Sequence, residues 1–229
     1  MKKINYLSYI LTVLILTVSY INPSYSISLS SPTDLLKKPK EGKEAGDGAK
    51  FNFKNANTGL VKTFFESSNN YLQAQEYLLI AYGKNTQAAQ VKEAIAYAKD
   101  AGVDDAKKMK NSIKVSSDAS KEIENSMNDE SFKLTAEGKA SYAQSLPFLL
   151  NGVKGTVQLQ PQSQAMVANI QANPMVALKE LGGLSKVLPN VPKYISTLTN
   201  TAKLVISGAK AKKIEGSDSL DTAMNDLTL

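Results

Sequence analysis

Residues 58–82, TGLVKTFFESSNNYLQAQEYLLIAY, decide the fold. Val61, Phe64, Phe65, Tyr71, Leu72, Leu78, Leu79 and Tyr82 recur at intervals of three, four and seven, which gathers them into one apolar stripe over six helical turns. A strand would instead alternate apolar and polar residues. Thr58 is the expected N-cap, and Gly83 is placed to end the helix.

The same period continues downstream. A second helix is expected from Thr86 to about Asp100, with Ala88, Val91, Ile95 and Ala98 on one face and Gly102 as its stop. A third runs from Val103 or Asp104 to about Asn128 and turns Ala106, Met109, Ile113, Ile123 and Met127 inward. Its middle, VSSDAS from Val115 to Ser120, is poor in apolar residues and rich in capping ones, which predicts a break with Asp118 restarting the helix. The next helix starts near Thr135 and runs toward Val157, kinked at Pro147, because proline lacks the backbone donor and crowds the preceding turn.

Beyond it, Pro161, Asn173-Pro174, Gly182-Gly183, Pro189 and Pro192 predict short helices, one of them from Asn173-Pro174 through Leu181. The final helix, about Val191 to Ile214, carries Tyr194, Ile195, Leu198, Ala202, Val205, Ile206 and Ala209 along one side. Lys210, Lys212 and Lys213 suit the negative end of its dipole. No run alternates for long enough to argue a sheet. The expectation is an all-α, antiparallel bundle-like domain of five to seven helices over residues 58–214.

Residues 27–57 mix Pro32, Pro39, Gly42, Gly46 and Gly48 with alternating charges and read as a flexible linker; Phe51 and Phe53 are expected to dock on the helical body. Residues 215–229 hold four acids and no lysine, an acidic tail able to fold back on the lysines before it. Residues 1–26 read as a signal peptide: Lys2 and Lys3, an uncharged run from Tyr6 to Ile21, Pro23, then small residues at Ser24 and Ser26. Cleavage is expected after Ser26. The competing reading is a retained anchor, since Ile4 to Ile21 approaches the length that spans a bilayer.

Composition excludes much chemistry. The chain has no cysteine, histidine or tryptophan, and all 27 of its basic residues are lysines. No disulfide can staple it, and the imidazole and thiolate ligands of most zinc, iron and copper sites are absent. A cysteine-free exported chain of this size suggests a bacterial periplasmic or secreted protein. Losing Lys2 and Lys3 with the signal lowers the formal charge from +6 to +4. With no arginine for bidentate contacts, the composition argues against nucleic acid as partner.

The remaining patterns are weak. Asp104-Asp105 and Asp129-Glu130 are neighbours that point about 100° apart on a helix, and Glu122 with Glu124 lies in a run suited to capping and solubility. Ser117 and Lys121 stand one residue too far apart for an acylating serine motif, and Ser112 with Lys114 also misses the spacing. Gly46 to Lys50 lacks the frame of a phosphate loop, and Gly152 to Gly155 is better read as a close approach between helices than as an RNA-binding loop. The sequence therefore assigns no catalytic, cofactor-binding or metal-ligating residue and no cofactor.

Leu134 to Thr156, LTAEGKASYAQSLPFLLNGVKGT, with the long amphipathic helix before it and the helical C-terminal half, resembles exported helical proteins of proteobacteria that lack an assigned activity. The resemblance implies a helical fold and an envelope address, and no site residues. Function is thus expected to be noncatalytic, through a protein or small-ligand partner. The alternative is action at a membrane surface, pairing the apolar segment Leu146 to Leu188 with the lysine-rich final helix. Mass spectrometry of the exported protein is expected to find Ile27 at its N-terminus; Met1 there would overturn the cleaved signal.

Overall fold

The structure, a computed structural model, describes residues 51–220. The residues read as a signal peptide, most of those read as a linker, including Gly46 to Lys50, and the tail beyond Leu220 lie outside the described residues. All regular structure among the described residues is helical: α1 Phe53–Ala81, α2 Asn85–Ala98, α3 Ala106–Asn128, α4 Ala136–Ala172, α5 Pro174–Leu181, α6 Leu184–Val187 and α7 Val191–Ala211, with 3₁₀ turns at Leu188–Asn190 and Ser217–Leu220. None is long and apolar enough to cross a membrane. The chain runs up, down, up, down through α1 to α4, turns across one end as α5 and α6, and rises again as α7. The all-α antiparallel bundle read from the period is the architecture found.

Helix α1 begins at Phe53, its cap six residues ahead of the expected one at Thr58. Asn52 is the cap, its side-chain oxygen accepting from the Asn55 N–H at 2.9 Å. Thr58 lies inside the helix, where its hydroxyl donates to the Lys54 carbonyl. Phe53 is 1% exposed and meets Phe51 edge-on at 4.9 Å, so the aromatic pair docks on the body as expected. Gly83 ends α1 at φ +71°, and the N–H groups of Gly83 and Lys84 return to the carbonyls of Ile80 and Leu79. The same closure ends α7, with Lys213 taking the left-handed position at φ +49° and the buried Ile214 donating to Ala209.

Two expected breaks are absent. Helix α3 runs unbroken through Val115 to Ser120, because Ser116 and Ser120 point into the bundle and bond to Gln75 there instead of capping a new turn. Helix α4 passes through both Pro147 and Pro161 and ends at Ala172, about 55 Å from its start at 1.5 Å per residue. Each proline removes one backbone bond, and burial of Leu146, Leu149, Leu159 and Ser163 on either side holds the helix across the gap. Asn173 precedes Pro174 at the start of α5 as expected, but its side chain makes no capping bond.

Helix α4 buries two rows of constant seven-residue spacing, Gly138, Ser145, Gly152, Leu159, Met166 and Tyr142, Leu149, Thr156, Ser163, Ile170. This is the spacing with which two helices stay in contact over many turns. Its principal partner is α1, running the opposite way. The approach is closest where α4 has glycine: a Cβ on Gly152 would come within 2.7 Å of the Tyr71 ring, and one on Gly155 within 2.6 Å of Ser67 Cβ. There the Ser67 hydroxyl donates to the Gly152 carbonyl at 3.0 Å. These glycines are a helix contact, as their position in the pattern suggested.

Because Ser67 Cβ and Cα cannot swing away, Gly155→Ala is expected to destabilise the domain by about 1–3 kcal/mol, lowering Tm by several degrees. Gly59, with nothing within 4 Å of its missing Cβ, is the control. Gly59→Ala is expected to raise stability by about 0.5–1 kcal/mol through helix propensity alone. Thermal melts of the two variants should move in opposite directions.

Candidate functional site

The acids singled out in the sequence do not converge. Asp105 caps α3, accepting from the Lys108 N–H at 3.0 Å, and its other oxygen lies 3.7 Å from the Lys108 ammonium. Glu122 pairs with Lys84 at 2.7 Å, and Glu124 accepts from the Thr201 hydroxyl at 2.9 Å. Asp129 accepts from both the N–H and the hydroxyl of Ser131, which hold its carboxyl below the usual range. Asp105, Glu122, Glu124 and Asp129 therefore serve local caps or ties between elements. Among the described residues no group of three or more acids is placed to hold a metal ion. Ser112 is buried while Lys114 faces solvent and pairs with Asp118 at 3.0 Å, so that serine and lysine do not meet.

The chemistry concentrated inside the bundle is hydrogen bonding. The Gln75 amide on α1 donates to the Ser116 carbonyl and the Ser120 hydroxyl of α3, both at 2.9 Å, and its oxygen accepts from the Ser116 hydroxyl at 2.8 Å. Ser68 shares a proton with the Tyr194 hydroxyl at 3.0 Å, and Tyr142 donates to the Val205 carbonyl at 2.7 Å. Sequence reading missed this seam by taking VSSDAS as a weak point. The signal was present: Met109, Ser116, Ile123 and Ser112, Ala119, Ser126 repeat at seven, which makes the serines part of the buried face.

Burial pushes the phenols of Tyr71 and Tyr142 well above the usual tyrosine value, and it pushes Tyr82 and Tyr194 up to about 12, with the hydrogen bonds from Ser116 and Ser68 partly opposing it at Tyr194. They are neutral at ordinary pH and unsuited to act as bases.

The surface feature with the shape of a binding site is a groove of about 620 Å³ between α2 and α3. Val91, Ala94 and Ala119 form its buried floor, and half-buried Val115 adjoins them. Small side chains on both helices keep this floor shallow, because α2 turns only Ala88, Val91, Ala94 and Ala98 fully inward. The rim carries the amides of Gln87, Gln90 and Asn111 and the half-exposed ring of Tyr97. The Lys108 ammonium stands 5.6 Å from the centre of that ring. The rim also carries three acids, Glu93, Asp118 and Glu122, of which Asp118 pairs with the rim's Lys114 and Glu122 with Lys84.

An up-and-down all-α bundle with a groove between two of its helices is the class that fold and surface define. Compared with protein-family models, with curated proteins and with solved structures, the chain matches none.

The buried tyrosines set a limit at high pH. Their folded pKa values lie above the unfolded value of about 10, so the stability they contribute is complete below pH 10 and is lost as pH rises toward about 12 and beyond. Helix ellipticity and tyrosinate absorbance followed together from pH 9 to 12.5 should show ionisation of the buried phenols coinciding with loss of helix. Ionisation of Tyr71, Tyr82, Tyr142 and Tyr194 with helix content intact would contradict this.

Proposed function

We propose that this chain is an exported, noncatalytic helical binding protein of the bacterial envelope, and that the α2–α3 groove receives a helical segment of a protein partner. The observation carrying the reading is the groove itself: a trough between two helices, floored by Val91, Ala94 and Ala119 and edged by amides, one tyrosine and charged side chains that include Glu93. A floor of small apolar residues admits the ridge of a third helix closely, as in helix-in-groove recognition. Tyr97 supplies the kind of aromatic contact that concentrates binding energy at interfaces. An envelope address is supported by the order of charge, apolar run and small residues in positions 1–26, by the absence of cysteine and by the resemblance to exported helical proteins. The noncatalytic part is supported by the acids being spent on caps and ties and by the phenols being buried.

The test is a photocrosslinking residue at Gln90, installed in cells of the source bacterium. It is expected to give one adduct with an envelope protein, lost in a Tyr97→Ala background and retained with Lys154→Ala. The same adduct forming equally from a crosslinker at Gln164 on α4, or persisting without Tyr97, would remove the groove as the site.

A further inference from the structure

Charge is divided unevenly along the folded chain. Residues 51–137 carry eleven lysines and twelve acids, whereas residues 138–214 carry nine lysines and a single acid, Glu180. From Gly155 to Leu178 there is no charged residue at all, although Val157, Gln158, Gln160, Gln164 and Gln171 are exposed. This uncharged surface ends at α5, and α5 is unusual. Of its eight residues only Ala177 and Leu181 are buried; they pin it against the bundle. Met175 is 77% exposed, Leu178 48% and Val176 45%, so three of the seven large exposed apolar residues fall within four consecutive positions.

Most of the apolar segment from Leu146 to Leu188 is core: Leu146, Leu149, Val153, Leu159 and Ile170 are buried. What remains outside is the α5 ridge. Around it the chain places Lys179 on α5 itself, Lys186 on α6 and Lys193 in the first turn of α7, all exposed. Glu180 is the acid on the same helix. Asp104 and Asp105 come near from the start of α3, where Ala106 touches Gly183, and Asp105 is already paired with Lys108.

We propose that the α5 end of the bundle docks on an anionic phospholipid surface, with Met175, Val176 and Leu178 entering the headgroup–acyl boundary and Lys179, Lys186 and Lys193 meeting the lipid phosphates. Charge complementarity selects this occupant. A second copy of the chain would bring two lysine-rich surfaces together, and like charges at contact oppose that pairing. Anionic lipid satisfies both halves of the patch, since apolar insertion and lysine attraction add at an interface. The α2–α3 groove lies on other helices, so this proposal and the groove reading stand or fall separately.

The absence of tryptophan makes the test site-specific, whatever the state of the N-terminus. In Met175→Trp, the single indole is expected to shift its emission to the blue on adding phosphatidylglycerol vesicles, and to be quenched by lipids labelled high on the acyl chain. Phosphatidylcholine vesicles should leave it unchanged, as should either vesicle for a Gln90→Trp control. Adding Lys179→Gln, Lys186→Gln and Lys193→Gln should weaken the vesicle affinity by roughly tenfold or more and flatten its salt dependence. Four results would each overturn the proposal: no shift with anionic vesicles, an equal shift with zwitterionic ones, an affinity indifferent to the three lysines, or a shift that follows protein concentration without lipid.

Discussion

The structure depends on how closely α4 can lie on α1. Helix α1 is surrounded, with buried residues on nearly every side, from Phe53 and Phe64 to Ser68, Gln75 and Leu79. It serves as the post on which α2, α3, α4 and α5 pack, while α7 lies chiefly on α3 and α4. Helix α4 covers it over the greatest length, and that length requires small residues where the backbones converge. Glycine at 152 and 155 admits the Tyr71 ring and Ser67, and Gly138 sits against the Ala81 carbonyl. With no disulfide possible in a chain that lacks cysteine, this packing has to supply the cohesion that a covalent link would otherwise add.

Much of this was legible in residue order. The period of Val61, Phe64, Tyr71 and Leu78 gave α1, and the glycine stop at 83 marked its end, whereas α2 ends at Ala98 with Lys99 as its cap, short of the expected stop at Gly102. What was not legible depended on tertiary partners. Pro161 looks like a helix end in isolation, but in the fold the apolar rows of α4 continue across it and outweigh one missing backbone bond. VSSDAS looks like a break, but Gln75 on another helix satisfies Ser116 and Ser120. The start of α1 was misplaced because Asn52, the true cap, sits among linker-like residues, and Phe53 was grouped with them.

For the candidate surfaces, the sequence was less informative still. Nothing in the order of residues distinguishes Val91, Ala94 and Ala119 on a groove floor from the same residues in a closed core. The α5 ridge was hidden in a longer apolar segment, most of which the fold buries. A stripe becomes a surface only once the helices that cover its neighbours are placed. The lysine excess of the second half was readable, but it is diluted in a whole-chain charge of +6.

The serine seam of α3 has one more consequence. Met109 and Ile123 are the large side chains that α3 buries fully; Ser112, Ser116, Ala119, Ser120 and Ser126 are its other buried residues, with Ile113 and Met127 partly buried against the core. Helix α2 brings mainly alanine and Val91. Little apolar surface is therefore released when this pair of helices parts from α1, and water can replace the hydrogen bonds that hold it. The α2–α3 pair should open at less cost than α1 and α4, and amide protons there should exchange ahead of those in α1 and α4. The groove lies between these two helices, so whatever fills it also fastens them to each other.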